Sequence, residues 1–298
     1  MKIDFKNKTV VITGAGRGLG RCYALEFARR GAMVVVNDLL AVQHSASPSE
    51  DAALEVVSLI KASGGEAAVD HHNIANEEGA KKLIQTALDN FGGVDILINN
   101  AGIIRDKSFL KMSAADFDAV LKVHLYGAFY ASQAAFPFMK EKNGGHIILT
   151  TSVTGLYGNF GQANYGSAKL GLVGLMNVLK EEGGKYNIFV NTISPIAETA
   201  MGKDALSAIA SGTMKPEHIA AAVLYLCSEE CKLSGEIISA GGGYFSKVQI
   251  MEGEGVLIRE EEITPEMIGE HYHLISDMSK AKKHENAMEA IASMLRRL

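Results

Sequence analysis

Hydrophobic positions along this chain gather into short, β-branched runs separated by longer stretches of helical period. The runs are Lys8–Thr13, Ala32–Asn37, Glu66–Asp70, Val94–Ile98, His146–Thr151, Ile188–Ile193 and Glu236–Ala240. Several are nearly continuous in apolar residues, as expected of strands buried on both faces. Segments such as Arg21 to Arg30 between them have helical character. This alternation from residue 8 to about residue 240 predicts an α/β fold: a Rossmann-type, doubly wound parallel sheet of about seven strands with helices on both faces. Such sheets bind ligands outside the strand carboxyl ends, at the switch point. Gly14–Gly20, Asn100–Gly102, Ser152 and Pro195 all fall at predicted strand ends.

After Gly243 the alternation stops, which predicts a dinucleotide-binding domain over 1–246 and a helical carboxyl-terminal extension over 247–298. Thr264-Pro265-Glu266 is a helix start, with a capping hydroxyl and proline at the first helical position. The last helix sets Met288, Ile291, Leu295 and Leu298 along one stripe, with Arg296-Arg297 near its end. An apolar stripe must be covered, by its own domain or by a second subunit, so a homo-oligomer, dimer or tetramer, is expected.

The first strand leads into Gly14-Ala-Gly16-Arg17-Gly18-Leu19-Gly20 and then into a helix. Glycines permit the tight turn and let the backbone approach a pyrophosphate, while the helix start offers free N–H groups and partial positive charge. Asp38 ends the second strand about 20 residues further on, where a carboxylate can bind the adenosine ribose diol. It would repel a 2′-phosphate, whereas Arg17 could contact one; a buried like-charge clash is the harder to relieve, so the expected cofactor is NAD. Asn73-Ile74 could flank the adenine. Asn100, Ala101 and Gly102 leave room for the cofactor, and the amides of Asn99 and Asn100 can tie strand ends together.

Ser152 stands at another strand end, and Tyr165 and Lys169 are four apart, hence on one helix face. A free tyrosine, with a pKa near ~10, is a poor base at neutral pH. A neighbouring ammonium favours the phenolate, and Ser152 can donate a hydrogen bond to a substrate oxygen. The three suit removal of a proton from an alcohol as a hydride leaves its carbon.

Composition narrows the partners. A net charge of −5 over 298 residues gives no basic footprint for nucleic acid. No apolar run reaches the ~18 residues that cross a membrane, and the start of the chain lacks the apolar core of a signal peptide. Arg296-Arg297-Leu298 does not match the Ser-Lys-Leu peroxisomal address. Three cysteines, an odd number, indicate a reducing compartment, and a cytoplasmic location is expected. Cys227 and Cys231 read as core residues with no companion metal ligands. His71, His72, His271 and His273 read as packed or solvated.

Thr13-Gly14-x-x-x-Gly18-x-Gly20, Asn99-Asn100-Ala101-Gly102, Ser152 and Tyr165-x-x-x-Lys169 together resemble the short-chain dehydrogenase/reductase family. Val34 to Leu39, Asn99 to Asp106 and Tyr157 to Tyr165 are similar to one subgroup, the (3R)-hydroxyacyl-CoA dehydrogenase domains of peroxisomal multifunctional enzymes type 2, also classed as 17β-hydroxysteroid dehydrogenases. The resemblance spans nearly the whole chain, more loosely in the tail. It implies Tyr165 as general acid/base, Lys169 as the group that lowers its pKa and binds the nicotinamide ribose, and Ser152 as the residue that orients the substrate oxygen. It further implies Asp38 on the adenosine ribose, Asn73 and Ile74 at the adenine, Asn100 along the cofactor, and Pro195, Ile196 and the residues to Thr199 at the nicotinamide amide. In that subgroup the extension shapes the substrate pocket across a dimer interface.

Three positions depart from the common pattern. His124 stands where most members carry an asparagine that supports a water in the proton relay, a replacement shared by the subgroup. Asn73 replaces an aspartate, and Pro195-Ile196 replaces Pro-Gly. The subgroup's hydratase and sterol-carrier domains have no counterpart in the sequence, so a stand-alone dehydrogenase is expected. The leading expectation is therefore an NAD-dependent oxidation of a (3R)-3-hydroxyacyl-CoA. A hydroxysteroid or other secondary alcohol is the alternative, because the catalytic groups are indifferent to what the carbinol carbon bears. A nucleotide-sensing module without turnover is the third, against which all three catalytic groups stand.

Overall fold

The computed structural model describes residues 3–40, 51–197 and 212–298. The chain divides into two compact units, Met1–Lys247 and Val248–Leu298.

The first unit is built on an eight-stranded sheet. Its strands are β1 (Thr9–Thr13), β2 (Met33–Asn37), β3 (Glu66–Asp70), β4 (Ile96–Asn99), β5 (Gly145–Thr150), β6 (Ile188–Pro195), β7 (Ile237–Gly241) and β8 (Tyr244–Val248), in the order β3-β2-β1-β4-β5-β6-β7-β8. All pairs from β3 through β7 are parallel. The winding reverses between β1 and β4, so the switch point lies beyond Thr13 and Asn99. Residues 10–12 of β1 and 96–98 of β4 are buried on both faces, which explains their unbroken apolar runs.

β8 is an edge strand added to the about seven expected. Gly242 and Gly243 both take positive φ, 58° and 83°, and form a two-residue connection that turns the chain back along β7. Tyr244 and Phe245 remain exposed at this edge, so no buried alternating pattern marks the strand.

Helices cover the sheet. α1 (Gly18–Arg29) buries Gly20, Tyr23, Ala24 and Phe27, and the Phe27 ring meets Phe5 edge-on at 4.7 Å. A fully buried phenylalanine contributes about 2 kcal/mol by area. α2 (Ala52–Ala62) and α3 (Glu77–Phe91) follow β2 and β3. Asp51 caps α2 by accepting from Leu54 N–H, and Asn76 caps α3 through Gly79 N–H.

α4 (Ala114–Leu121) and α5 (Gly127–Glu141) are joined without a loop by a π-helical turn, Lys122–Tyr126. Such turns are rare and displace a side chain from the regular helical face; here that residue is His124. α6 (Val153–Tyr157) is one short turn after β5, and α7 (Ala163–Gly183) runs 21 residues. α8 (Pro216–Leu226) precedes the buried Cys227 and Cys231.

The second unit holds α9 (Pro265–Ile275) and α10 (Ala287–Leu295). The Thr264 hydroxyl accepts from Met267 N–H and Pro265 opens the helix, as the sequence suggests. Met288, Ile291, Leu295 and Leu298 are all exposed.

Candidate active site

Tyr165 and Lys169 lie one turn apart near the start of α7, and the Lys169 ammonium sits 5.4 Å from the centroid of the phenol ring. Lys169 is buried, and its Nζ donates to the Thr150 carbonyl at the end of β5, at 2.5 Å. The Thr151 hydroxyl donates to the Lys169 carbonyl at 2.7 Å, so β5 grips this turn of α7 twice. Ser152 caps α6 by accepting from Thr154 N–H at 3.2 Å, and its hydroxyl acts to lower the pKa of the Tyr165 phenol. Gly155 allows this proximity: a Cβ there would lie 2.8 Å from the Lys169 Cβ and 2.8 Å from the Leu170 nitrogen.

His124 completes the cluster. Its ring stands edge-on to Tyr165 with centroids 5.2 Å apart and planes at 90°. Nε2 lies 2.8 Å from the Ile103 carbonyl and 3.0 Å from the Ile103 N–H, so one tautomer donates to the first and the other accepts from the second, and buried Nδ1 has no partner. The ring fits because residue 102 is glycine: a Cβ there would come within 2.2 Å of His124 Cε1.

The electrostatics depart from the expected arrangement. Burial raises the Tyr165 phenol above its ordinary value; Ser152 opposes this and Asp106 adds to it. Lys169 is itself pulled down to about 7 by burial. The lysine therefore does not by itself give a low-pKa phenol, because the surroundings that hold the pair disfavour both charges. Burial, aided by the Lys169 charge and opposed by the Ile103 carbonyl, pulls His124 down to about 3, so its ring is neutral at ordinary pH.

Asn164 is a site-building residue that the sequence reading did not single out. It is fully buried, donates through Nδ2 to the Arg105 carbonyl at 3.0 Å, and accepts through Oδ1 from Tyr165 N–H at 2.7 Å. It thereby sets Tyr165 against the segment that follows β4. The available signal was its place immediately before the tyrosine, at the start of a long helix.

The glycine loop forms a cradle that side chains would fill. Gly14 and Gly18 take φ of 62° and 54°. A Cβ on Gly14 would meet Ala101 Cα at 2.7 Å, and one on Gly20 would meet the Gly14 carbonyl at 2.2 Å. Asn100 Nδ2 donates to the Thr13 and Gly14 carbonyls, each at 3.0 Å, while Asn100 N–H and Ala101 N–H donate to the Thr13 hydroxyl at 3.0 and 3.1 Å. Thr13 and Asn100 thus knit the ends of β1 and β4 together at the switch point. Asp38 accepts from Gly16 N–H and from Leu39 N–H, each at 2.9 Å. Arg17 is exposed at the start of α1, and Leu19 is half-buried in its first turn.

Asn73 accepts from Ala75 N–H at 2.9 Å. Ile74 is buried against Gly127, where an added Cβ would meet it at 2.7 Å. Pro195 and Ile196 lie at the end of β6, with Ile196 N–H donating to the Ala240 carbonyl at 2.8 Å. Thr199 lies outside the described residues. A cradle of close-set backbone, a helix start and a carboxylate at the next strand end fit a dinucleotide. Gly14, Gly16, Gly18, Gly20, Asp38 and Asn100 would hold it, and the histidine–tyrosine–lysine cluster follows along the same strand ends.

The model for short chain dehydrogenases matches residues 8–209. Peroxisomal multifunctional enzyme A of Dictyostelium discoideum is 46% identical over 99% of this chain and 66% of its own length. Peroxisomal multifunctional enzyme type 2 of Drosophila melanogaster is 44% identical over 99% of this chain and 49% of its own length. This chain thus spans about half to two thirds of those relatives. The solved full-length Drosophila enzyme aligns with a TM-score of 0.83 at 39% identity, covering 99% of this chain and 50% of that one. A short chain dehydrogenase from Mycobacterium avium aligns with a TM-score of 0.81 at 37% identity, over 92% of this chain and 97% of its own. The family uses a nicotinamide dinucleotide and acts on small molecules. Fold, glycine cradle and family match together make this chain a member of the short-chain dehydrogenase family and an oxidoreductase.

Proposed function

We propose that the chain oxidises a (3R)-3-hydroxyacyl-CoA to the 3-oxoacyl-CoA with NAD. The observation that carries the chemistry is the grouping of the Tyr165 phenol with Ser152, which acts to lower its pKa, and with the buried Lys169, whose ammonium lies 5.4 Å from the ring centroid. Ser152 and Tyr165 hold the substrate hydroxyl. Tyr165, as phenolate, takes the hydroxyl proton while the carbinol C–H electron pair leaves as hydride and the C=O bond forms. NAD, when bound, accepts that hydride. Lys169 counters the phenolate charge. His124 is read here as a positioning residue: its Nε2 is engaged by Ile103 and its ring is neutral, so it braces the edge of Tyr165 rather than carrying a proton.

The substrate class is supported by the multifunctional relatives at 46% and 44% identity. The surface beside the site supports it as well. Lys107 N–H donates to the Gly161 carbonyl at 2.9 Å and joins two loops that present Phe109, Leu110, Tyr157 and Phe160, each more than 70% exposed. An apolar rim of this kind suits an acyl chain. NAD rather than NADP is supported by Asp38, whose carboxylate would repel a 2′-phosphate. A homo-oligomer is supported by the exposed apolar stripe on α10, and a reducing compartment by Cys22, Cys227 and Cys231, all free.

The test supplies purified protein with NAD and each enantiomer of a medium-chain 3-hydroxyacyl-CoA and follows NADH. Turnover confined to the (3R) form is expected. No turnover of either form, with turnover of a hydroxysteroid or simple secondary alcohol, would replace the substrate and leave the chemistry standing.

A further inference from the structure

His71 makes two contacts for which the sequence alone gave no reason. It lies just after β3, with Nδ1 3.0 Å from the Asp38 carbonyl and Nε2 2.9 Å from Asp51 Oδ2. Both partners are acceptors. A neutral imidazole carries a single N–H, so it can serve one of them; only the imidazolium donates to both. The charged group on the ring is the Asp51 carboxylate at the cap of α2, while Asp38, just after β2, presents its backbone carbonyl; next to it, His72 pairs separately with Asp70 at 2.8 Å.

Each bond reaches the adenosine end of the cofactor cradle. Asp38 is the residue whose carboxylate accepts from Gly16 N–H at 2.9 Å. Asp51 caps α2 through Leu54 N–H at 2.9 Å, and the next residue, Ala52, abuts the glycine loop. A Cβ on Gly16 would lie 2.8 Å from the Ala52 Cβ and 2.8 Å from Asp38 Oδ2. The end of β2, the start of α2 and the glycine loop therefore meet at one place, and His71 ties the first two together.

We propose that His71 and Asp51 form a charged clamp that holds Asp38 in register with the adenosine ribose, making both residues positioning and specificity-determining for the dinucleotide. The inference rests on the reading of this cradle as an NAD site. With the clamp closed, the Asp38 carboxylate is presented to the ribose diol. With it open, the Asp38 backbone loses an anchor and the ribose loses its best acceptor. A 2′-phosphorylated dinucleotide, which Asp38 repels, gains nothing from the clamp.

The test is equilibrium titration of the whole chain with NADH and NADPH, followed by nucleotide fluorescence without acyl substrate. Asp51→Asn keeps a capping side chain on α2 but removes the carboxylate. His71→Asn keeps an amide donor for the Asp38 carbonyl but cannot bear charge. Each variant should bind NADH about fivefold or more weakly, with NADPH changed less than about twofold. The double variant should lose little more than either single one, as expected of a coupled pair.

NADH affinity within about twofold of wild type in both variants, or equal losses for NADH and NADPH, would overturn the clamp while leaving the NAD reading intact. A wild type that binds NADPH more tightly than NADH would overturn the NAD reading and the clamp with it. Because acyl substrate is absent, the result is independent of whether the alcohol is an acyl-CoA.

Discussion

Lys169 stands one helical turn beyond Tyr165 with its ammonium 5.4 Å from the phenol centroid, yet its own hydrogen bond runs to the Thr150 carbonyl at 2.5 Å. The lysine is thus anchored to the sheet, and the tyrosine is free to face substrate. Burial draws Lys169 down to about 7 and raises Tyr165. The pair is an acid and a base whose charges are both disfavoured until something offsets the burial.

Tyr165→Phe removes the phenol proposed to take the alcohol proton while leaving the ring that packs edge-on with His124. Turnover should fall by about a thousandfold or more, the upper range for loss of a general base. NADH affinity, measured by fluorescence titration, should stay within about twofold, because the glycine cradle is untouched. A variant retaining a tenth of wild-type activity would sink the assignment.

Lys169 also makes stability depend on pH. Its folded pKa, about 7, lies below the ordinary lysine value of 10.5. Between those values the unfolded chain binds more protons, so this group makes stability rise with pH across that window. Below about 7 the full cost of burying the charge is present. Urea midpoints from pH about 7 to about 10 should therefore climb more steeply for wild type than for Lys169→Met. Parallel curves would show that Lys169 titrates normally in the folded protein.

Why some of this was legible in the sequence and some was not follows from the physics of each feature. β3 has the ends read from sequence, Glu66 and Asp70, because a polar residue bounds a short apolar run on each side. β6 runs on to Pro195, beyond the expected Ile193, because Ser194 and Pro195 pair in register with Ser239 and Ala240; a buried serine looks like a strand end when only polarity is counted. The π turn at His124 is invisible, since an inserted residue leaves the apolar pattern of one long helix nearly intact. Tyr165, Lys169 and Ser152 could be grouped because helix spacing and strand-end position are local properties. The pairing of His71 with Asp51 and Asp38 could not, since its partners come from two other elements that only the sheet order brings together.

Asp38→Ala tests the ribose acceptor directly. Its carboxylate accepts from Gly16 N–H and Leu39 N–H, so the substitution removes both the proposed ribose partner and two loop anchors. NADH affinity should drop about tenfold, and the NADH to NADPH preference should shrink by a similar factor. An unchanged preference would move cofactor selection to another residue, with Arg17 the first to examine.

Gly102→Ala probes the contact that sets His124 beside Tyr165. The new methyl would lie 2.2 Å from His124 Cε1 and 3.0 Å from both ring nitrogens. The ring cannot yield by a small rotation, because Nε2 is hydrogen-bonded to Ile103 and the ring packs against Tyr165. Either the π turn shifts or the segment after β4 does, at a cost of about 1–3 kcal/mol. Unfolding in urea should show that loss of stability. If His124 braces Tyr165, kcat should fall more than KM changes, and shortening the ring in Gly102→Ala/His124→Asn should recover part of both stability and kcat. A Gly102→Ala protein with wild-type stability and kcat would mean that the histidine can leave its place without consequence, and that Tyr165 is positioned by Asn164 and α7 alone.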